Sequence, residues 1–314
     1  MASLPLVIIL GATGRTGQSI ADALLDSGKF RVGAITRPGS ISKPEVEALR
    51  AKGVEIRATD PSSDSLEKLK EALSGAEVLI SAVSATAIDG QKTIIAAAKE
   101  VGVKRVVPCD FGTPGRRGVR ALHDAKLDIR EYVQKLGIGY TFIDIGWWMQ
   151  LTVTGTTAHP SLLGPWSEQV FDSGRKKQLL TNVDHVGPFV ARIVADPRTL
   201  NHYVIVWEEE MTFTEAKDIS ERYSGECEAL RAKRKLVSRE ELLKLAEDGK
   251  TQYAKTHDDA SHATWAYAEY MLSLHFIGEN TLENAKALGA LDARELYPDA
   301  QFTSFEDFSK KFYA

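Results

Sequence analysis

Three glycines spaced G-x-x-G-x-x-G follow directly on an apolar run near the start of the chain. Val7-Ile8-Ile9-Leu10 leads into Gly11, Gly14 and Gly17, and an amphipathic pattern begins behind them. A short run of β-branched and aliphatic residues reads as a strand buried on both faces, and the pattern after the glycines reads as a helix. Each glycine has its own task in such a strand-turn-helix unit. Gly11 lets the chain turn, Gly14 lets the backbone approach a pyrophosphate, and Gly17 lets the helix pack close to the strand. With Thr13, Arg15 and Thr16 between them, they place the first helical N–H groups where an anion is held. The unit predicts a dinucleotide-binding turn and a parallel sheet around it.

The next stretch keeps that pattern. Strands are expected at about 31–37, 54–58, 78–83, 105–108 and 140–145, and helices at about 17–27, 44–52, 65–73, 91–101 and 119–136. Regular alternation with short connections predicts an α/β fold, a Rossmann-type doubly wound parallel sheet whose ligands bind at the carboxyl ends of the strands. Arg37 ends the second strand, 20 residues past Gly17, and no Asp or Glu occurs from Arg31 to Lys43. An acid at that place would hold the ribose of NAD, whereas an arginine accommodates the 2'-phosphate of NADP, so the expected cofactor is NADPH. Arg15 and Lys43 either add charge around the same phosphate or are solvated. By the strand-end rule Val83, Ser84 and the segment Cys109–Gly112 belong beside the cofactor, and Gln91 and Phe111 join the candidate set. Asp60 reads either as an adenine contact or as a turn residue before Pro61. The loop from Gly112 to Gly118 reads either as a solvated connection or as a flap.

At 314 residues the chain has room for about two domains. The expected division is a cofactor domain over 1–155, completed by a strand near 202–208, and a smaller, mainly helical C-terminal substrate domain over 156–314. Thr212 with Glu215, and Ser238 with Glu241, are capping boxes that start helices near Phe213 and Arg239. A net charge of -4 argues against nucleic acid and anionic membranes as partners and leaves a small-molecule substrate. Two cysteines, Cys109 and Cys227, in no metal-like spacing suggest neither a disulfide framework nor a metal site. No apolar run approaches the ~20 residues of a membrane span, and the early first strand leaves no room for a signal peptide, so a cytoplasmic location without a cleaved segment is expected.

The helix ending at Leu136 carries its core face on Leu122, Ala125, Ile129 and Val133, with His123, Lys126 and Arg130 as a neighbouring basic stripe. Such a stripe repels itself unless it faces an anion, and the cofactor would supply one. Facing the cofactor, Lys126 is a candidate cofactor contact. Trp147 and Trp148 emerge where a parallel sheet delivers its ligands. With Phe111, Tyr270 and His275 they form a candidate substrate wall, and core packing is the competing account of each aromatic.

The chain resembles the isoflavone reductase-like branch of the NmrA-like family of atypical short-chain dehydrogenases. The likeness rests on Gly11-Ala12-Thr13-Gly14-Arg15-Thr16-Gly17, on Arg37, on Lys104-Arg105-Val106-Val107-Pro108-Cys109-Asp110-Phe111-Gly112, and on Lys126 with Arg130. It continues through Asp184-His185-Val186-Gly187 and Glu295-Leu296-Tyr297-Pro298-Asp299. The resemblance implies NADPH-dependent reduction of phenolic or related ring compounds, with the family's catalytic lysine falling on Lys126. The family usually has Pro-Ser-Glu-Phe-Gly where this chain has Pro108-Cys109-Asp110-Phe111-Gly112. The expectation is a reductase of a small aromatic, phenolic or heterocyclic substrate, with hydride from nicotinamide and a proton through Lys126. The alternative is a non-catalytic NADP-binding regulator or redox sensor, and a homodimer is left open.

Overall fold

A computed structural model describes residues 4–171 and 174–314. In chain order its first elements are β1 (Leu6–Leu10), α1 (Arg15–Asp26), β2 (Arg31–Thr36), α2 (Pro44–Ala51), β3 (Glu55–Ala58), α3 (Leu66–Ala72), β4 (Ala76–Ser81), α4 (Gln91–Glu100), β5 (Arg105–Val107), α5 (Ala121–Leu136) and β6 (Thr141–Ile145). Then come β7 (Trp147–Trp148), α6 (Met149–Thr152), β8 (Gln169–Phe171), β9 (Lys177–Thr181), α7 (Val186–Ala195), β10 (His202–Val206) and β11 (Glu209–Thr212). The chain closes with α8 (Phe213–Tyr223), α9 (Cys227–Lys233), β12 (Lys235–Val237), α10 (Arg239–Thr256), α11 (Asp259–Met271), α12 (Leu282–Ala287), β13 (Ala290–Asp292), α13 (Ala293–Leu296) and α14 (Phe305–Phe312).

Two compact units divide these elements: Met1–Phe111, Ala125–Asp144 and Asp184–Val204 form the first, and Gly112–Asp124, Ile145–Val183 and Ile205–Ala314 the second.

The first unit is built on a five-stranded sheet in the order β3-β2-β1-β4-β5, parallel throughout. A parallel bridge from Val106 to Tyr140 carries the chain into β6 beside β5. Val7, Ile8 and Ile9 are wholly buried, as a strand covered on both faces must be. Helix α1 buries Gly17, Ile20, Ala21 and Leu24 at helical spacing, and each large side chain so buried contributes about 1.5–3 kcal/mol. Against α1 lies α7. A Cβ on Gly187 would stand 1.9 Å from the Ser19 carbonyl oxygen, so only glycine permits this helix contact. Ser19 Oγ accepts from the Gly187 N–H at 3.0 Å and donates to the Asp184 carbonyl at 2.9 Å. The Asp184–Gly187 motif is therefore the α1–α7 joint. At the far end of α7 the buried Arg105 guanidinium donates to the carbonyls of Ile193 at 2.8 Å and Asp196 at 3.1 Å, and so caps the helix C-terminus.

In the second unit β9 pairs antiparallel with β11 and parallel with β7. Both capping boxes are formed, and α8 and α10 start at Phe213 and Arg239 as the sequence predicts. Helices α10 and α11 pack closely: a Cβ on Gly249 would meet the Trp265 nitrogen at 2.7 Å. A π-helical turn, Leu272–Ile277, prolongs α11 and stops at Gly278. One apolar cluster centres on Met149, Leu180, Phe305 and Phe308, another on Phe171, Phe213, Leu242, Tyr267 and Met271. Among the described residues no helix is long and apolar enough to cross a membrane.

Candidate cofactor cleft and proton-transfer site

In the sheet of the first unit the strand order reverses between β1 and β4, and a cavity of about 420 Å³ opens at the carboxyl ends of β1, β2 and β4. Gly11, Thr13, Gly14, Arg37, Lys43, Val83 and Ser84 line it. Gly11 turns with φ +85, and a Cβ there would stand 2.4 Å from the Ala82 carbonyl oxygen. A Cβ on Gly17 would stand 2.1 Å from the Gly11 oxygen, so the start of α1 sits directly on the turn. Gly14 is the N-cap of α1 and no side chain caps the helix, which leaves its first N–H groups, those of Arg15 and Thr16 included, as anion donors. Arg37 and Lys43 are exposed at the rim, and among the described residues neither forms a salt bridge. A bare glycine turn, an uncapped helix and two exposed cations outside any salt bridge among the described residues fit a dinucleotide with an extra phosphate. Asp60 also lines the cleft, but its Oδ1 accepts from the Ser62 N–H at 3.0 Å and the Ser62 hydroxyl at 2.6 Å, and these bonds hold its carboxyl below the ordinary value. That is the turn geometry. Arg15 lines a different groove, between α1 and α7. Gln91 is buried with both ends of its amide spent inside the protein, accepting from the Cys109 N–H at 2.9 Å and donating to the Ile88 carbonyl at 2.9 Å. It ties α4 to the end of β5.

One strand over from the cleft, the segment after β5 leads to Lys126. The Cys109 thiol, pushed up to about 11 by burial, donates to the Val83 carbonyl at 3.2 Å. The next residue, Asp110, offers its main-chain oxygen to Lys126 Nζ. Lys126 is buried, at 8% exposure, so its ammonium depends on that oxygen for solvation. Asp110 Oδ1 takes the Arg130 Nε–H at 3.0 Å, and Arg130 also reaches Asp144 Oδ1 at 2.6 Å. Tyr203 donates its hydroxyl to Asp144 Oδ2 at 2.8 Å, and the guanidinium lies 4.8 Å from the Tyr203 ring centre. Of the basic stripe on α5, Arg130 thus finds its anions inside the protein, and Lys126 a main-chain carbonyl. Arg130 is held by two buried carboxylates rather than by a cofactor phosphate, because β6 inserts Asp144 into an otherwise apolar strand. Burial pushes the Asp110 carboxyl up to about 6, against the pull of Arg130. Phe111 follows at φ +38, a left-handed conformation that costs a non-glycine residue roughly 1–2 kcal/mol. It is buried, and its N–H donates to the Ile143 carbonyl at 2.9 Å.

The second unit holds the remaining candidates. Half of the loop from Gly112 to Gly118 is neither solvated nor free to swing: Thr113, Pro114 and Gly115 are buried. Arg120, 1% exposed, donates to Thr113 Oγ1 at 2.7 Å and to the carbonyls of Thr113 and Pro114, and His123 Nε2 meets the Gly115 carbonyl at 2.9 Å. Arg120 also lies over the Tyr270 ring at 4.7 Å, and Tyr270 lies 5.4 Å from Trp147. Trp147 packs against both apolar clusters, whereas Trp148 is half-buried and belongs to neither. His275 lies in the interior, stacked on Phe171 at 4.2 Å and tilted against Phe213 at 4.5 Å. Burial holds its imidazole neutral, down to about 3. Packing accounts for it.

A family model matches residues 5–309, and it describes the NmrA-like family. The chain belongs to that family. Asnovolin J 5',6'-dehydrogenase of Aspergillus novofumigatus is 34% identical over 310 residues, covering 96% of this chain and 93% of the relative. A phenylcoumaran benzylic ether reductase of Betula pendula is 29% identical over 331 residues, covering 99% of this chain and all of the relative. In fold, the chain is similar to the leucoanthocyanidin reductase–NADPH binary complex of Vitis vinifera, with a TM-score of 0.77 at 22% identity over 98% of this chain and 99% of that one.

The family motif Lys104–Gly112 therefore has a physical content in this chain. It ends β5, ties to Val83, and delivers a carboxylate to Arg130 and a carbonyl to Lys126. Sequence reasoning did not bring Asp110, Arg130, Asp144 and Tyr203 together. The one visible signal was Asp144, a lone carboxylate in the apolar run Tyr140–Ile145.

Proposed function

We propose that this NmrA-like protein is an NADPH-dependent reductase of a small aromatic, phenolic or heterocyclic substrate, with Lys126 as its proton donor. The observation that carries the reading is a buried lysine whose ammonium is held on a main-chain carbonyl, one strand from a glycine cradle with an NADP-type rim. The names of relatives support it, since reductases of plant ring compounds recur among them. When bound, NADPH supplies the hydride. The N–H groups at the start of α1, with Gly11 and Gly14, hold its pyrophosphate, and Arg37 with Lys43 holds the 2'-phosphate. Lys126 gives a proton, directly or through a hydroxyl or water, to the substrate atom that becomes negative, and the Asp110 carbonyl keeps its Nζ in place. Phe111, Trp148, Tyr270 and the inner Trp147 supply apolar substrate contacts. A cytoplasmic setting, which keeps both cysteines reduced, is part of the same reading.

The fungal relative is named a dehydrogenase, which favours a second direction of the same exchange: oxidation of a saturated bond with NADP+. The test is a turnover screen that follows nicotinamide absorbance, with NADPH against phenolic enones, ketones, imines and benzylic ethers, and with NADP+ against their saturated counterparts. Turnover of a ring substrate that falls at least tenfold in Lys126→Ala is the expected result. Tight NADPH binding with no turnover across the panel would contradict it and favour a regulator or redox sensor.

A further inference from the structure

The peptide between Asp110 and Phe111 is held at both ends. Its carbonyl accepts from Lys126 Nζ and its N–H donates to Ile143, while the φ of +38 at Phe111 sets the plane on which both lie. A strained peptide keeps such an orientation only when its surroundings over-determine it. What fixes the other side of Asp110 is the Arg130 guanidinium, bonded to its Oδ1 at 3.0 Å and itself anchored on Asp144 and over the rings of Tyr203 and Phe142. Among the described residues Asp110 Oδ2 is buried without a hydrogen-bond partner, so the Arg130 bond to Oδ1 is what holds this carboxylate.

We propose that the Arg130–Asp110 ion pair is a positioning device for Lys126: it fixes the strained Asp110–Phe111 peptide, and that peptide's carbonyl aims the lysine. Asp110 touches no reacting atom. The inference deepens the proposed function and rests on Lys126 being the proton donor. The chemistry makes it dependent on pH. The groups facing the Asp110 carboxyl are Arg130 and Lys126 from α5, Asp144 from β6, Tyr203 from β10 and the neighbouring Cys109. Burial, with the like charge of Asp144 beside it, outweighs the two cations and brings its titration to about 6. Above that pH the carboxylate grips Arg130 through a charge-assisted bond. Below it the neutral carboxyl keeps only a weaker one, and the peptide carrying Lys126 loosens.

The test is Asp110→Asn, which keeps the shape and removes the charge. With ring substrate and NADPH, wild-type kcat should fall as pH drops through about 6. In the variant, kcat at neutral pH should be lower by about tenfold or more, the acid limb should be gone, and KM for NADPH should change by less than about twofold. Loss of kcat with the acid limb unmoved, or full retention of kcat, would overturn the proposal. A second readout needs no turnover: acetylation of Lys126 by acetic anhydride, followed by peptide mass spectrometry, should run at least about threefold faster in the variant, because the amine is no longer held. An unchanged acetylation rate overturns the positioning role even where turnover cannot be measured, whereas faster acetylation in a protein without turnover sinks the reductase reading alone. Should Asp110→Asn not fold, Arg130→Lys, which lacks the Nε–H to Asp110, is read by the same two measurements.

Discussion

Replacing Gly17 by Ala and Gly14 by Ala should separate the two tasks of the glycine turn. A Cβ on Gly17 would lie 2.1 Å from the Gly11 oxygen, 2.8 Å from the Gly11 carbonyl carbon and 2.9 Å from the Ala12 Cα, all backbone atoms that no rotamer can move aside. Relief requires α1 to lift from the end of β1 by roughly an ångström, against the Gly187 contact that holds α1 to α7. With three backbone atoms under 3.0 Å, the overpacking falls in the upper part of its usual range, about 2–3 kcal/mol, and the better helix propensity of Ala returns about 1, so the net loss is roughly 1–2 kcal/mol. That is a drop in Tm of roughly 2–8 °C. Gly14 is different. Its φ is negative and a Cβ there meets only the Gly11 oxygen at 3.5 Å, so Gly14→Ala should melt within about 2 °C of the wild type. The same Cβ would occupy the place where the pyrophosphate approaches, so NADPH affinity should fall by about tenfold or more. Scanning fluorimetry and a nicotinamide fluorescence titration on both variants decide the matter. A Gly17→Ala protein that melts with the wild type, or a Gly14→Ala protein that binds NADPH normally, would refute the division.

Arg37→Ser should cut the preference for NADPH over NADH by about ten- to a hundredfold, since a charge-assisted bond to a phosphate contributes roughly 1.5–3 kcal/mol; equal dissociation constants for the two cofactors in the wild type would sink the assignment. Trp148→Ala should raise KM for a ring substrate while Tm and NADPH affinity hold, whereas Trp147→Ala, which empties a place packed against both clusters, should lower Tm; the reverse pattern in paired melting and kinetic assays would exchange their roles. His275 has a folded pKa depressed from 6.5 to about 3, so the unfolded chain binds its proton first, and stability present above about 6.5 is lost as pH falls toward 3. His275→Phe keeps the stacking and removes this proton, so in urea titrations its stability relative to the wild type should improve by about 1.4 kcal/mol per unit between roughly pH 6 and 4, and a constant difference would contradict the neutral imidazole.

The candidate cofactor cleft was legible because it is local. Glycines three residues apart, an arginine at the end of the next strand and the absence of acids up to Lys43 are backbone and charge facts that need no tertiary partner to interpret. The same holds for the capping boxes at Thr212 and Ser238. The region around Lys126 was only half legible. Lys126 stood out through the family likeness, but its setting depends on Asp110 and Asp144, 20 and 14 residues from Arg130 and delivered by different strands. From the sequence Arg130 faced a cofactor anion; in the fold it faces two buried carboxylates. The loop after Phe111 looked solvated or mobile because of its glycines and arginines, yet Arg120 turns inward and latches it. In the second unit β7, β8 and β12 are two or three residues long, too short for any periodicity to announce them. The aromatics of α11 and the π-helical turn could be read as core or pocket with equal right, and only packing against Phe171 and Phe213 assigns His275 to the core.

Isotope transfer tests the central claim most directly, since it asks where both atoms added to the substrate come from. With NADPH deuterated at the transferring nicotinamide carbon, in ordinary water, the product should gain one deuterium at the hydride-accepting carbon. With ordinary NADPH in heavy water, a substrate reduced at a C=C bond should gain one non-exchanging deuterium at the neighbouring carbon that Lys126 serves. Both incorporations should slow together by about 10² to 10⁴ in Lys126→Ala while NADPH affinity stays as in the wild type. A product formed without deuterium from the cofactor, or at an undiminished rate without Lys126, would contradict the account.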